Sequence, residues 1–273
     1  MTPVAQTPIA LTIAGSDSGG GAGVQADLKA FSALGVYGAS VITAITAQNT
    51  KAVTAVEGVS LPVIAAQIDA VLSDLDVGAI KIGMLATPEI IAAVADSLAG
   101  FGGPVVLDPV MVAKSGDALL QDDAVGALVE KLLPRATVLT PNLPEAARLL
   151  GEAPTEDDDA LIAQGRALLA LGPQAVLMKG GHASGAVCHD NLVTADGVRR
   201  FSAERVATKN THGTGCTLSS SIAAGLAKGF TLEQSVAEAH AYLAAAIRAA
   251  DKLTIGSGHG PVHHFHQFWG ADG

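Results

Sequence analysis

The chain has 273 residues, 49% hydrophobic and 15% charged, with a formal net charge of −10. That length fits one large α/β domain or two small ones, and the apolar content predicts a packed core rather than disorder. The acidic balance argues against nucleic acid or an anionic membrane surface as the main partner, and no apolar run reaches the roughly 18 residues of a membrane span.

Residues 1–10 hold no charged n-region, so no signal peptide is expected. The two cysteines, Cys188 and Cys216, form neither a CxxC pair nor a disulfide framework, which fits a reducing cytoplasm. Residues 9–14 predict a buried strand ending in a glycine-rich loop, 15–23, followed by a helix over 24–34 with Leu28, Phe31 and Leu34 at core spacing. Residues 41–46 and 53–59 are β-like, Pro62 opens a helix, and 79–84 is an apolar strand. Thr87-Pro88-Glu89 has the hydroxyl and the proline of a helix start. A strand at 105–108 stops at Pro109, a helix at 122–133 stops at Pro134, and a strand at 137–140 stops at Pro141. Helices at 144–150 and 159–171, a strand at 175–179, a hairpin over 191–206 turning at Asp196-Gly197, and helices at about 217–228 and 232–252 complete the chain. Strand–helix alternation with nearly all-apolar strands predicts an α/β fold with a mostly parallel sheet covered on both faces. No linker or repeat interrupts it, so residues 1–273 are read as a single domain. Ligands of such sheets bind beyond the carboxyl ends of the strands, where Gly15, Gln48, Met84, Asp108, Asn142 and Lys179 all fall.

The stretch Asn210-Thr211-His212-Gly213-Thr214-Gly215-Cys216 precedes a small-residue, apolar run and reads as a loop opening a helix. The first helical amides lack intrahelical partners and lie at the positive end of the dipole, so the stretch predicts an anion hole. A cysteine is more often a small buried hydrophobe, but a helix N-terminus lowers a thiol pKa, which makes Cys216 a candidate reactive group. Asp108 and Glu145 are hard oxygen ligands at adjacent strand ends and suit Mg²⁺; capping is the competing reading, and it explains Glu145 better than Asp108. Lys179 ends an apolar strand before Gly180-Gly181, where a buried ammonium needs an anion such as a phosphate, the alternative being a snorkelling surface lysine. The loop from Gly15 to Gly23 matches neither a dinucleotide fingerprint nor a P-loop, yet it is small enough to fold over a ligand; otherwise it is a plain turn. Asp27 is placed to accept a hydrogen bond from a substrate, or simply sits in a first helical turn. Gln48 offers an amide that can pair with a ring nitrogen and an exocyclic amine together, against the common case of an exposed glutamine. The histidines from His259 to His266 lack completing ligands and read as terminal packing rather than a metal site.

Several motifs occur in a fixed order: Ala10-Leu11-Thr12-Ile13-Ala14-Gly15-Ser16-Asp17, Gly20-Gly21-Ala22-Gly23-Val24-Gln25-Ala26-Asp27, Ala47-Gln48-Asn49-Thr50, Lys81-Ile82-Gly83-Met84-Leu85, Thr140-Pro141-Asn142-Leu143-Pro144-Glu145, Met178-Lys179-Gly180-Gly181-His182 and Gly213-Thr214-Gly215-Cys216. In these the chain resembles the hydroxymethylpyrimidine/phosphomethylpyrimidine kinases of thiamine biosynthesis. The resemblance implies a three-layer αβα ribokinase-like fold and two ATP-dependent phosphorylations of 4-amino-5-hydroxymethyl-2-methylpyrimidine. It implies that Gln48, Gly15, Asp27, Met84 and Val110 surround the pyrimidine. Asp108 and Glu145 would hold Mg²⁺ through water, and Lys179, Asn142, Thr211 and Gly215 would meet the nucleotide. Gly213, Thr214, Gly215, Cys216 and Lys179 would act on the transferring phosphoryl group. It also implies a cytoplasmic homodimer. One departure is Ser18, where proline is expected, and a more mobile loop is the expected consequence. Competing functions are a pyridoxal kinase, a catalytically silent pyrimidine sensor, and a hydrolase using Cys216 with His212 as base.

Overall fold

The computed structural model describes residues 6–112, 116, 119–182 and 185–270. Its strands are β1 (Ile9–Asp17), β2 (Tyr37–Gln48), β3 (Val53–Gly58), β4 (Ala79–Ile82), β5 (Val105–Leu107), β6 (Val138–Leu139), β7 (Ala175–Lys179), β8 (Val187–Thr194) and β9 (Gly197–Glu204). Its helices are α1 (Gly23–Ala33), α2 (Leu61–Leu72), α3 (Pro88–Ser97), α4 (Ala124–Ala127), α5 (Leu143–Leu150), α6 (Asp158–Leu169), α7 (Thr214–Ala227) and α8 (Leu232–Arg248). The strands form one sheet in the order β3-β2-β1-β4-β5-β6-β7-β8-β9. Neighbours from β2 to β7 pair in parallel, β3 is antiparallel at one edge, and β8 and β9 return as a hairpin at the other.

Successive strand residues point to opposite faces, and here each face has its own size class. On one face Leu11, Ile13, Ile80, Ile82 and Leu107 pack with Ile64, Ile68, Ile91, Val94 and Leu168 of the helices. On the other, Ala10, Ala79, Val106, Val138 and Ala175 pack with Phe31, Leu218, Ile222, Ala223 and Val236. This second face carries little bulk, so α7 approaches closely: a Cβ on Gly78 would lie 3.0 Å from the Ala227 carbonyl oxygen. The result is the three-layer αβα arrangement expected from the alternation of elements. β2 and β4 flank β1, so the chain order reverses there and opens a crevice beyond the carboxyl ends of the strands.

Several boundaries differ from the sequence reading, three of them for a local reason. β1 runs on to Asp17, pairing with β2 across a register shift between Ala14 and Ser16, so the glycine-rich loop begins later than residue 15. The helix expected over 122–133 begins as α4 and continues helical with a wider pitch at Leu128–Leu132 and a tighter one at Leu133–Arg135, where Pro134 lacks the amide hydrogen to extend the ladder. α7 begins at Thr214 rather than residue 217, because Gly213 adopts a left-handed φ of 78° and caps the helix.

Candidate active site

β1 delivers Gly15 to Asp17 to the crevice, β2 delivers Gln48, and β4 ends just before Met84. β5 is followed by Asp108 and Val110, β6 by Asn142, and β7 ends on Lys179. The first turn of α7 closes the floor. Together these residues line a cavity of about 820 Å³ that extends to Val206, Leu243 and Ile247.

At the α7 end, Gly213 presses against the glycine-rich loop so closely that a Cβ there would strike the Gly21 carbonyl oxygen. Behind it, the amides of Gly215 and Cys216 lead the helix and have no intrahelical acceptor. A side chain on Gly215 would meet Lys179 Nζ at 3.4 Å and Asp108 Oδ2 at 3.6 Å, so these charges face the same helix end.

Lys179 Nζ donates to Asp108 Oδ1 at 2.9 Å and lies 3.8 Å from Glu145 Oε2. Burial works against its charge, but Asp108 and Glu145 more than offset it and hold the pKa above the ordinary lysine range. Burial also opposes the Asp108 carboxylate, which Lys179, Lys81 and the Ser219 hydroxyl (3.1 Å) keep well below its ordinary value. Burial pushes Glu145 up to about 7. Glu145 also caps α5: its carboxylate accepts from the Asn142 amide at 2.8 Å, and its own amide donates to Asn142 Oδ1 at 2.9 Å. Capping, the competing reading of Glu145, is therefore what its side chain does here, and it leaves the carboxylate on the cavity wall beside Lys179.

At the other end, a side chain at Gly15 would run into the Met84 thioether, so glycine leaves room beside that group. The Gln48 side chain lies between Thr46 Oγ1 at 3.1 Å and His212 Nε2 at 3.5 Å. Ser18 does not loosen its loop. Its hydroxyl donates to the Gln48 carbonyl and accepts from the Gln48 amide, both at 2.8 Å, and so ties the loop to the strand that carries Gln48.

The cavity brings together Gly15, Gln48, Met84, Val110, Asp108, Asn142, Glu145, Lys179, Thr211, Gly213, Thr214, Gly215 and Cys216. Asp27 is not among them. It is fully buried beneath the wall, where it accepts from Thr12 Oγ1 at 2.6 Å and pairs with Lys81 Nζ at 2.8 Å. The expected hydrogen bond donated by a substrate to Asp27 is replaced by an internal ion pair. The expectation for the Cys216 thiol also changes sign: burial outweighs the helix N-terminus and pushes it up to about 11.

Sequence reasoning missed Lys81 and the Asp17–His212 pair. Lys81 is a lysine inside a four-residue apolar strand, the same signal that singled out Lys179. Asp17 accepts from the amides of Gly19, Gly21 and Ala22 and from His212 Nε2 at 2.8 Å, and so pins the glycine-rich loop to the loop before α7. Cys188 also lines the cavity. The C-terminal histidines pack against α7 and α8, as expected, and among the described residues no cluster of three or more His, Cys, Asp or Glu offers a metal site. No helix among the described residues is long and apolar enough to cross a membrane.

The αβα fold, with the first turn of a helix, the Lys179 ammonium and the Gln48, Met84 and Val110 side chains facing one cavity, fits a ribokinase-like phosphotransferase. A sequence model of the family described as phosphomethylpyrimidine kinase matches residues 17–263, and the chain belongs to that family. It is 62% identical to a hydroxymethylpyrimidine/phosphomethylpyrimidine kinase of Rhizobium meliloti, over 96% of this chain and 99% of that one. To the Escherichia coli protein of the same name it is 52% identical, over 95% and 98%. Among solved structures, a Bacillus subtilis pyridoxal kinase in complex with ADP superposes with a TM-score of 0.88 at 36% identity, over 96% of this chain and 99% of that one. A Clostridium difficile phosphomethylpyrimidine kinase gives 0.77 at 45% identity, over 86% and 97%.

Proposed function

We propose that this cavity phosphorylates the hydroxymethyl group of 4-amino-5-hydroxymethyl-2-methylpyrimidine and then the resulting monophosphate, both with ATP, in thiamine biosynthesis. The observation that carries the reading is one continuous cavity with a ring pocket at Gln48, Met84 and Val110, a cation at Lys179, and the first turn of α7 between them. Gln48 pairs with the aminopyrimidine edge, and the two apolar side chains take the ring faces. The nucleotide base fills the apolar far end at Val206, Ala207, Leu243 and Ile247, which sets its phosphates toward Lys179 and Thr211.

Phosphoryl transfer passes through a loose transition state, so positioning and charge neutralisation dominate. The α7 amides and Lys179 hold the equatorial oxygens. The new bond forms from the hydroxymethyl oxygen to phosphorus as the bridging P–O bond to ADP breaks. The Cys216 thiol is neutral near pH 7, so its sulfur only orients the hydroxyl as a weak acceptor, and the hydroxyl proton passes late to an oxygen of the transferred phosphoryl group, when O–P bonding has acidified it. Asp108 and Glu145 fit Mg²⁺, which is held by one or two carboxylates and otherwise by water and phosphate. When bound, the ion neutralises charge on the phosphates. A homodimer and a cytoplasmic setting belong to the same reading, the first checked by light scattering.

The test is ADP release with Mg-ATP and hydroxymethylpyrimidine, its monophosphate or pyridoxal as acceptor. Turnover of the first two with little on pyridoxal is expected. Preference for pyridoxal would transfer the assignment to a pyridoxal kinase, and silence on all three would leave a pyrimidine sensor.

A further inference from the structure

The C-terminal histidines take no part in the mechanism above, yet one of them reaches the anion hole. His264 is buried, and its Nε2 lies 3.0 Å from Thr217 Oγ1. Thr217, in the second turn of α7 and fully buried, donates its hydroxyl hydrogen to the Gly213 carbonyl at 2.7 Å. A hydroxyl has a single hydrogen, so with that bond made Thr217 Oγ1 can only accept from His264, which places the imidazole proton on Nε2. The same Gly213 carbonyl accepts from the Thr217 amide at 2.8 Å. Gly213 is the left-handed residue whose carbonyl and amide planes set the aim of the following N–H groups. His264 itself is fixed from the opposite side: Tyr242 Oη donates to its carbonyl at 2.6 Å, and the His263 amide donates to the Ala246 carbonyl at 3.1 Å. The segment leading to it is pinned to the same loop, with the His212 amide on the Gly260 carbonyl at 3.0 Å.

We infer that His264 is a positioning residue for phosphoryl transfer: through Thr217 and the Gly213 carbonyl it aims the amides of Gly215 and Cys216 at the transferring group. The relay rests on the reading of α7 as the phosphoryl-binding helix. It contacts neither the ring pocket nor the nucleotide base, so its loss acts on the chemical step. Burial keeps His264 neutral, with its pKa pushed down to about 3, and the relay therefore holds across the physiological pH range.

Thr217→Val, His264→Leu and the double variant test it, with Thr217→Ser and His264→Gln as conservative partners, the glutamine amide nitrogen standing in for Nε2. Removing a direct oxyanion donor costs on the order of 100-fold in kcat, and an indirect one is expected to cost about 10-fold. The expected result is a kcat about 10-fold lower in Thr217→Val and His264→Leu with an unchanged KM for the pyrimidine. The double variant should be no slower than the worse single one, because both break one relay. Thr217→Ser and His264→Gln should return to within about threefold of wild type. A purely packing role would lower Tm in every variant without this coupling or rescue, and that pattern overturns the inference. Unchanged kcat in both single variants of an active wild type overturns the relay alone, whereas a wild type without kinase turnover overturns the functional reading and the relay together.

Discussion

Cys216 sits where two influences oppose each other: a helix N-terminus favours the thiolate and burial disfavours it. Burial prevails, and a thiol pushed up to about 11 is un-ionised across the working pH range. Iodoacetamide at pH 8 should therefore modify Cys216 in the folded protein roughly 100-fold more slowly than in the denatured chain, where a free thiol titrates near 8.5. Peptide mass spectrometry reads the site, and comparable rates would contradict the burial argument. The two reactions also ask different things of this residue. The first nucleophile is a neutral hydroxyl that must lose a proton, whereas the second is a phosphate oxygen that is already ionised. Because the thiol orients the first hydroxyl, Cys216→Ala should lower the first turnover by about 100-fold, the scale of a misplaced reacting group, and the second by less than about tenfold, with pyrimidine binding intact. Equal losses in separate assays of the two acceptors would assign Cys216 a purely steric role. The placing of Cys216 at a helix start on the cavity was legible from the glycines around it. The state of the thiol was not, because it depends on Asp27, Lys81 and Asp108, which arrive from distant parts of the chain.

Among the elements, β4 and α1 are joined by the Lys81–Asp27 pair, both side chains at 0% exposure. Removing one partner of a buried pair leaves an uncompensated charge and costs about 3–5 kcal/mol, while replacing both with apolar groups is often close to neutral. Lys81→Met should lose about that much in urea denaturation, and Lys81→Met/Asp27→Leu should recover most of it. Equal stability of single and double variants would contradict the pairing. At the start of α7, Gly213→Ala combines a left-handed φ of 78° with a collision against the Gly21 carbonyl oxygen. It should cut kcat about 100-fold while the pyrimidine KM moves little, since a misplacement of about 1 Å in a positioning element has that scale. Sequence periodicity located nearly every strand because apolar runs stop at polar residues. It missed the start of α7, where the cap is a left-handed glycine with no capping side chain, and it read Asp27 as a ligand contact because its partner lies 54 residues away.

At the scale of the whole molecule, the reversal of strand order at β1 gathers polar strand ends from Gly15 to Lys179 into one cavity. That convergence was visible in the sequence, since apolar strands ending in chemically useful residues point to one sheet edge. What stayed hidden was the bracing between loops far apart in the chain: Asp17 with His212, Ser18 with Gln48, and His264 with Thr217. The whole arrangement serves a single cavity in which the product of one phosphorylation becomes the acceptor of the next. The most direct test is a time course with Mg-ATP and hydroxymethylpyrimidine alone, products resolved by mass. The monophosphate should rise and then convert to the diphosphate, with two ADP released per pyrimidine consumed. A reaction that stops at the monophosphate, or an absence of turnover, would contradict it.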